Sequence, residues 1–155
     1  MPSQISRVAH NLTLVVDVLA EFERDLDEGA IDRMFDMEGR RLEELCKEHS
    51  RNMVKYDTKF RELKSLEDFI KMKLEETKSI HWRKYTERYN VKLTGRDVEA
   101  YVAGEEDYVT MYQILLEVTN VKRKFEAIVE GLKNMGWNLS HITKLRVAQI
   151  EAAVI

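Results

Sequence analysis

The 155-residue chain has little of what ends helices, crosslinks loops or crosses membranes. One proline and six glycines are too few for a fold with many tight turns, and no sustained alternation of apolar and polar residues indicates strands. A single cysteine, Cys46, excludes an internal disulfide and suits a reducing cytosol. The longest early apolar run, residues 12–16, is too short for a signal peptide or a membrane span. We therefore expect a cytoplasmic, helical protein with no membrane partner.

The chain also lacks the motifs of enzymes and of metal sites. It contains no Gly-rich phosphate-binding loop and no nucleophile elbow, so we predict a non-enzyme with no catalytic residues and no cofactor. Cys46 and His49 share a helix face, but two candidate ligands do not make a metal site, and His10, His81 and His141 show no ligand spacing. The net charge of −3 gives no overall signal for nucleic acid, so the distribution of charge has to carry any such signal.

What the sequence has in abundance is apolar residues in steps of three and four, most regularly between Met111 and Met135. This spacing is typical of a coiled-coil seam and favours an oligomer core in residues 97–155, although packing within one chain would produce the same pattern. Gly136 predicts the end of this helix, with Trp137 capping the seam and a second helix following. The predicted oligomerisation residues are Met111, Ile114, Val118, Val121, Phe125, Ile128, Leu132, Met135, Trp137, Ile142 and Leu145.

Residues 1–96 are predicted to form an N-terminal helical region. A seam with the same steps predicts a first helix that begins near Ser3, and its members are Ile5, Val8, Leu12, Val15, Leu19, Phe22 and Leu26. Gly29 ends this helix or opens the next. Because neither Gly nor Pro occurs between Arg40 and Thr94, we expect a long or bent helix that folds back on the first. A turn at residues 50–52 would instead produce two helices in a hairpin.

The segment 78–96 is basic, with six cations against one acid, a net charge of +5. Trp82, Tyr85 and Tyr89 fall on one helical stripe among these cations. Cations that follow phosphates and rings that accept stacked bases are what single-stranded nucleic acid requires. The same pattern also fits an aromatic core stripe beside a solvated cationic face. The predicted DNA-binding residues are Lys78, Trp82, Arg83, Lys84, Tyr85, Arg88, Tyr89, Lys92 and Arg96.

The helical pattern becomes weaker after Asn90. Alternation at Tyr89, Val91 and Leu93 allows a short extended segment within residues 89–102, and Asp97 to Val102 fits either a helical turn or a strand. The predicted fold class is all-α, with long helices in a hairpin and a C-terminal helical oligomerisation region.

A motif in the C-terminal half goes beyond periodicity. Leu132-Lys133 is an aliphatic–Lys pair, Gly136-Trp137 follows, and His141-Ile142 and Arg146 come in the same register. In these positions the chain resembles the UvsY recombination mediator family of tailed phages. The resemblance spans about residues 19–146 and is specific from residue 97 onward. It departs from the family just before the aromatic stretch, where a basic pair is replaced by Ser79 and His81.

The resemblance implies a small, non-enzymatic helical protein in the cytoplasm of an infected host cell. Members of the family form rings through their C-terminal region, bind single-stranded DNA and help to load a RecA-like recombinase against competing single-strand-binding protein. The implied partners are therefore single-stranded DNA, a RecA-like recombinase, single-strand-binding protein and further copies of the chain. The residues alone also allow a helical structural or chaperone oligomer that binds protein partners only.

Overall fold

The computed structural model describes residues 7–9 and 11–153, with side chains up to residue 149. Residues 7–9 are helical, and a 3-10 turn at Leu12–Leu14 leads into the main helices. These are α1 (Val15–Glu23), α2 (Glu28–Phe35), α3 (Leu42–Glu87), α4 (Gly95–Ala103) and α5 (Glu106–Ala153). The described residues include no strand, so the all-α prediction is confirmed. The expected extended segment at 89–102 is instead a short loop followed by α4.

Packing divides the chain into two compact units. Unit 1 combines the residues up to Val18 with Glu62–Val121, and unit 2 combines Leu19–Arg61 with the residues from Lys122 onward. Helices α3 and α5 each contribute one part of their length to each unit. The boundary predicted after residue 96 falls inside unit 1, and the division into 1–96 and 97–155 stays a prediction.

Unit 2 has an aromatic core made by α1, α3 and α5. The Phe125 ring lies edge-on to Phe22, with ring centroids 5.9 Å apart, and 6.1 Å from the Tyr56 ring. Beside them the Lys59 ammonium donates to Asp25 at 2.5 Å. Burial, with Asp25 and Asp27 nearby, raises the pKa of Tyr56. Helix α3 therefore packs along the N-terminal helix, as its uninterrupted apolar pattern predicted.

Unit 1 has an aliphatic core that encloses one carboxylate. The buried α3 residues there are Leu63, Leu66, Ile70 and Leu74. Glu67 lies among them at 4% exposure; it accepts a 2.8 Å hydrogen bond from the Thr119 hydroxyl, and Lys71 lies 3.5 Å away. A buried carboxylate is tolerated only with such donors, and the hydrogen bond from Thr119 links α3 to α5.

The N-terminal seam does not form one helix, contrary to its regular spacing. The Asn11 side chain accepts a hydrogen bond from the Thr13 amide, and this favours the 3-10 turn that precedes α1. Helix α1 ends at Glu23, before the last seam member, Leu26. Asp27 then caps α2 by accepting from the Gly29 amide, so Gly29 lies in the first turn of α2. Ile5 and the predicted start near Ser3 lie outside the described residues.

The prediction that Gly136 ends a helix is wrong, because α5 continues through it to Ala153. A Cβ atom at Gly136 would lie 3.0 Å from Cε1 of His49, and one at Gly131 would lie 3.0 Å from Cζ of Phe35. These glycines therefore allow close packing inside unit 2 rather than a left-handed turn. Trp137 caps nothing, since its side chain is 70% exposed. The hairpin alternative at 50–52 is also wrong, because α3 runs through it.

Candidate nucleic-acid interface

The basic segment lies in unit 1 and covers the end of α3, the loop 88–94 and the first turn of α4. The loop is fixed at its far end by a capping box, in which Thr94 Oγ1 accepts from the Asp97 amide at 3.3 Å and Asp97 accepts from the Thr94 amide at 3.2 Å. Val98 and Val102 are 1% and 2% exposed and hold α4 against the unit. The loop and its cations therefore lie between two helices that are held in place.

Besides Lys84, four of the predicted DNA-binding cations lie on the surface: Arg83, Arg88, Lys92 and Arg96. None of them forms an ion pair with another residue that the structure describes. Lys78 and Trp82 are half-buried and, with Arg83, line a cavity of about 250 Å³. A phosphate can approach the four exposed side chains without displacing an acid among the described residues.

Lys84 differs from these cations because an acid distant in sequence lies against it. The Lys84 ammonium donates to Glu105 Oε1 at 2.9 Å, and the Tyr85 hydroxyl donates to the same oxygen at 2.5 Å. The hydrogen bond from Tyr85, followed by that from Lys84, lowers the pKa of the Glu105 carboxyl, and the pKa values of Lys84 and Tyr85 are raised in return. The positive charge that this surface presents is therefore smaller than residues 78–96 alone indicate.

Three tyrosine rings cluster beside the cations. The Tyr85 ring lies 5.6 Å from Tyr89 and 5.3 Å from Tyr101, measured between centroids, and the Tyr89 and Tyr101 centroids are 6.3 Å apart. The predicted stripe placed Trp82 with Tyr85 and Tyr89, but the third ring of the described cluster comes from α4. Tyr101 was missed because it follows the basic segment in sequence; its position one helical turn after the buried, apolar Val98 was the available signal.

His81, Glu105 and Asp107 form a further cluster that histidine spacing did not reveal. Their potential ligand atoms all lie within 4.8 Å of one another. His81 Nε2 lies 2.7 Å from Asp107 Oδ1, and Nδ1 lies 3.6 Å from Glu105 Oε1. Glu105 accepts from Lys84 and Tyr85, and His81 Nε2 pairs with Asp107, so hydrogen bonds join the end of α3 to the start of α5. The buried Nδ1 of His81 has no hydrogen-bond partner among the described residues.

The predicted oligomerisation residues divide into buried and exposed groups. The buried group is Val118, Val121, Phe125, Ile128, Leu132 and Met135. Met111, Ile114 and Ile142 are half-buried, whereas Trp137 and Leu145 are 70% and 64% exposed. Packing within the single chain therefore explains the middle of the seam, which was the alternative interpretation. Self-association stays a prediction, and Trp137 and Leu145 are the members available for it.

Met111 and Ile114 also line a cavity of about 630 Å³ in unit 1. Leu12 contributes to its apolar lining, and Glu105, Glu106 and Asp107 also line it. These carboxylates would repel phosphates, so the cavity lies outside the candidate DNA surface.

No helix of the described chain combines the length and the apolar character that crossing a membrane requires.

Fold and surface together define a class: an all-helical protein that presents cations and exposed tyrosine rings at one loop between helices. No protein-family model matches the chain, and no curated protein matches its sequence. Among solved structures, the fold is similar to the crystal structure of the bacteriophage T4 recombination mediator protein UvsY. The TM-score is 0.64 at 13% identity, over 81% of this chain and 97% of that one. The resemblance noted from the sequence is thus supported at the level of the fold.

Proposed function

We propose that the protein is a recombination mediator, which binds single-stranded DNA and helps to load a RecA-like recombinase onto DNA covered by single-strand-binding protein. The observation that carries this proposal is the similarity of fold to a protein named as a recombination mediator, over nearly all of that protein's length. The exposed cations of residues 78–96 support the DNA-binding part. We further propose that it works without catalytic chemistry, as a ring of identical subunits in the cytoplasm of an infected host cell.

Binding begins with the cations. Arg83, Arg88, Lys92 and Arg96 are exposed, and each can neutralise one phosphate and release its counterions. Charges elsewhere help little, because screening limits their reach to about 10 Å at 0.1 M salt. The net charge of the whole chain is −3, so one subunit binds DNA weakly.

Assembly makes a weak site useful. Linked copies of one site raise avidity by orders of magnitude without new contacts, because the later contacts form at high effective concentration. A ring can thereby compete with single-strand-binding protein and hold DNA for the recombinase. Trp137 and Leu145, which remain exposed in the C-terminal part of α5, are the side chains that we assign to contacts between subunits.

Fluorescence anisotropy with a labelled single-stranded oligonucleotide tests the DNA-binding part. The variant Arg83→Ala, Arg88→Ala, Lys92→Ala should bind more weakly to every sequence. Its slope of log K against log salt should be shallower by about 2, since each phosphate contact contributes about 0.7.

The matched control removes three exposed cations outside the segment, Arg51, Lys64 and Lys133. It makes the same change in net charge and should retain the wild-type slope. Equal losses in the two variants would show that residues 78–96 are not the DNA site. A wild-type protein that binds no oligonucleotide would contradict the proposed function.

The alternative is a helical structural or chaperone oligomer that binds protein partners only. The exposure of Trp137 and Leu145, together with the acid-edged apolar cavity of unit 1, favours it. The same anisotropy experiment separates the two functions, because this alternative predicts no saturable binding of DNA.

A further inference from the structure

Resting on the proposed function, we propose that Tyr101 and Tyr89 form a base-stacking surface that makes this site selective for unpaired nucleotides. The proposal deepens the DNA-binding role, because it assigns the selection of single strands to two rings. It also brings in Tyr101 of α4, which the sequence did not assign to DNA binding.

The geometry of the rings is suited to stacking. Tyr101 and Tyr85 are stacked with an interplanar angle of 22°, and Tyr89 completes the cluster from the loop. Tyr101 is 47% exposed and Tyr89 is 49% exposed. Exposed rings of this size are not explained by the core of unit 1, which is filled by aliphatic residues.

Tyr85 holds the cluster in place. Its hydroxyl donates to Glu105 at 2.5 Å, and the Lys84 ammonium lies 5.1 Å from its ring centroid. This places Tyr85 as the positioning residue against which Tyr101 stacks. Helix α4 is fixed in turn by its capping box and by Val98 and Val102. A ring that is already ordered loses little conformational entropy when a base stacks on it.

The cations around the rings complete the site. Arg88 and Lys92 belong to the same loop as Tyr89, and Arg96 lies in the first turn of α4. A single strand can place phosphates on these cations and bases on the rings, which is how sequence-independent single-strand sites work. In a duplex each base is covered by its neighbours, so only the phosphates remain available. The rings therefore supply the preference for single strands and the cations supply the general affinity.

The test compares two ligands of equal length and charge, an oligo-dT and the same backbone with abasic residues. Wild-type protein should bind the abasic strand roughly tenfold more weakly or worse, the loss expected for one or more stacked bases. Tyr101→Ala should weaken binding of oligo-dT and leave the abasic strand unaffected. Tyr101→Phe, which keeps the ring, should restore binding of oligo-dT.

The matched control is Tyr112→Ala, which removes a tyrosine of the same 47% exposure from α5. It should change neither affinity. If wild-type protein binds both strands equally, or if Tyr101→Ala behaves like Tyr112→Ala, the stacking surface is refuted while the proposed function stands. If wild-type protein binds neither strand, both the stacking surface and the proposed function are refuted. Should Tyr101→Ala fail to fold, Tyr89→Ala and the two-strand comparison on the wild type decide the question.

Discussion

The Lys84 ammonium lies 2.9 Å from a carboxylate oxygen of Glu105, which also accepts the Tyr85 hydroxyl. Glu105 thus neutralises Lys84 on the candidate DNA surface. It also holds Tyr85 beside the exposed rings of Tyr89 and Tyr101. A phosphate that approaches Lys84 has to compete with this carboxylate. Under the proposed function, Glu105 is therefore an internal competitor for the DNA backbone.

We predict that Glu105→Gln strengthens binding of single-stranded DNA, because the amide keeps an acceptor for Tyr85 but removes the charge beside Lys84. The salt slope should steepen by about 0.7, the contribution of one added phosphate contact. Glu106→Gln is the control, since it removes the same charge from the neighbouring, exposed position. If both variants gain the same affinity, the effect is one of net charge and the competition does not exist.

The same contact predicts a pH dependence of stability. The pKa of the Glu105 carboxyl lies below its ordinary value of 4.5, first because of the hydrogen bond from Tyr85. A depressed pKa contributes stability that is present above pH 4.5 and is lost as the pH falls through the folded-state value. Tyr85→Phe should therefore be less stable than the wild type in urea at pH 7, and the gap should narrow below pH 4.5. A difference in stability that does not change with pH would contradict this. The control Tyr112→Phe should be as stable as the wild type at each pH.

Much of the helical architecture follows directly from the sequence. Between Arg40 and Thr94 neither Gly nor Pro occurs, and α3 occupies most of that stretch. The seam of α5 likewise predicted its buried face, including Phe125 and Leu132. Helix identity was accessible because spacing and composition are local properties.

Gly136 illustrates what was not accessible. A glycine in a helical pattern marks either a left-handed end or a close approach, and the difference depends on a distant side chain. Here that side chain is His49, whose Nε2 lies 2.7 Å from the Leu132 carbonyl oxygen. Spacing within α5 contains no information about His49, so a helix end was wrongly predicted at Gly136.

The candidate site shows the same limit. Counting charges over residues 78–96 gave +5, because Glu105 and Asp107 follow later in the chain and reach the site only through the fold. Tyr101 was missed for the same reason. The basic, aromatic character of the segment was predictable, whereas its partners depend on tertiary contacts between α3, α4 and α5.

Gly136→Ala should destabilise the protein, although Ala is the better helix former by about 1 kcal/mol. The added methyl would meet the His49 ring at 3.0 Å, and the ring cannot retreat without weakening its hydrogen bond to Leu132. Overpacking of this kind costs about 1–3 kcal/mol, which urea denaturation can measure. Gly95→Ala, where a Cβ meets nothing within 4 Å, should be neutral or stabilising. A Gly136→Ala protein more stable than the wild type would show that α3, which carries His49, and α5 can separate slightly.

Substitutions at Phe125 and at Trp137 should distinguish an effect on folding from an effect on assembly. Phe125 is fully buried, so Phe125→Ala should lower the free energy of unfolding by about 3–5 kcal/mol. Trp137 is 70% exposed, so Trp137→Asp should leave the melting temperature nearly unchanged while it weakens self-association. Light scattering and thermal denaturation of both variants test this pair. Wild-type protein that remains monomeric at tens of micromolar would contradict the ring.

The most direct test of the mediator function measures the ATPase activity of the cognate RecA-like recombinase on single-stranded DNA already covered with its single-strand-binding protein. The account predicts that wild-type protein stimulates this activity. Stimulation should fall in the variant that lacks Arg83, Arg88 and Lys92 and should persist in the variant that lacks Arg51, Lys64 and Lys133. Absence of any stimulation by wild-type protein would contradict the assignment as a recombination mediator.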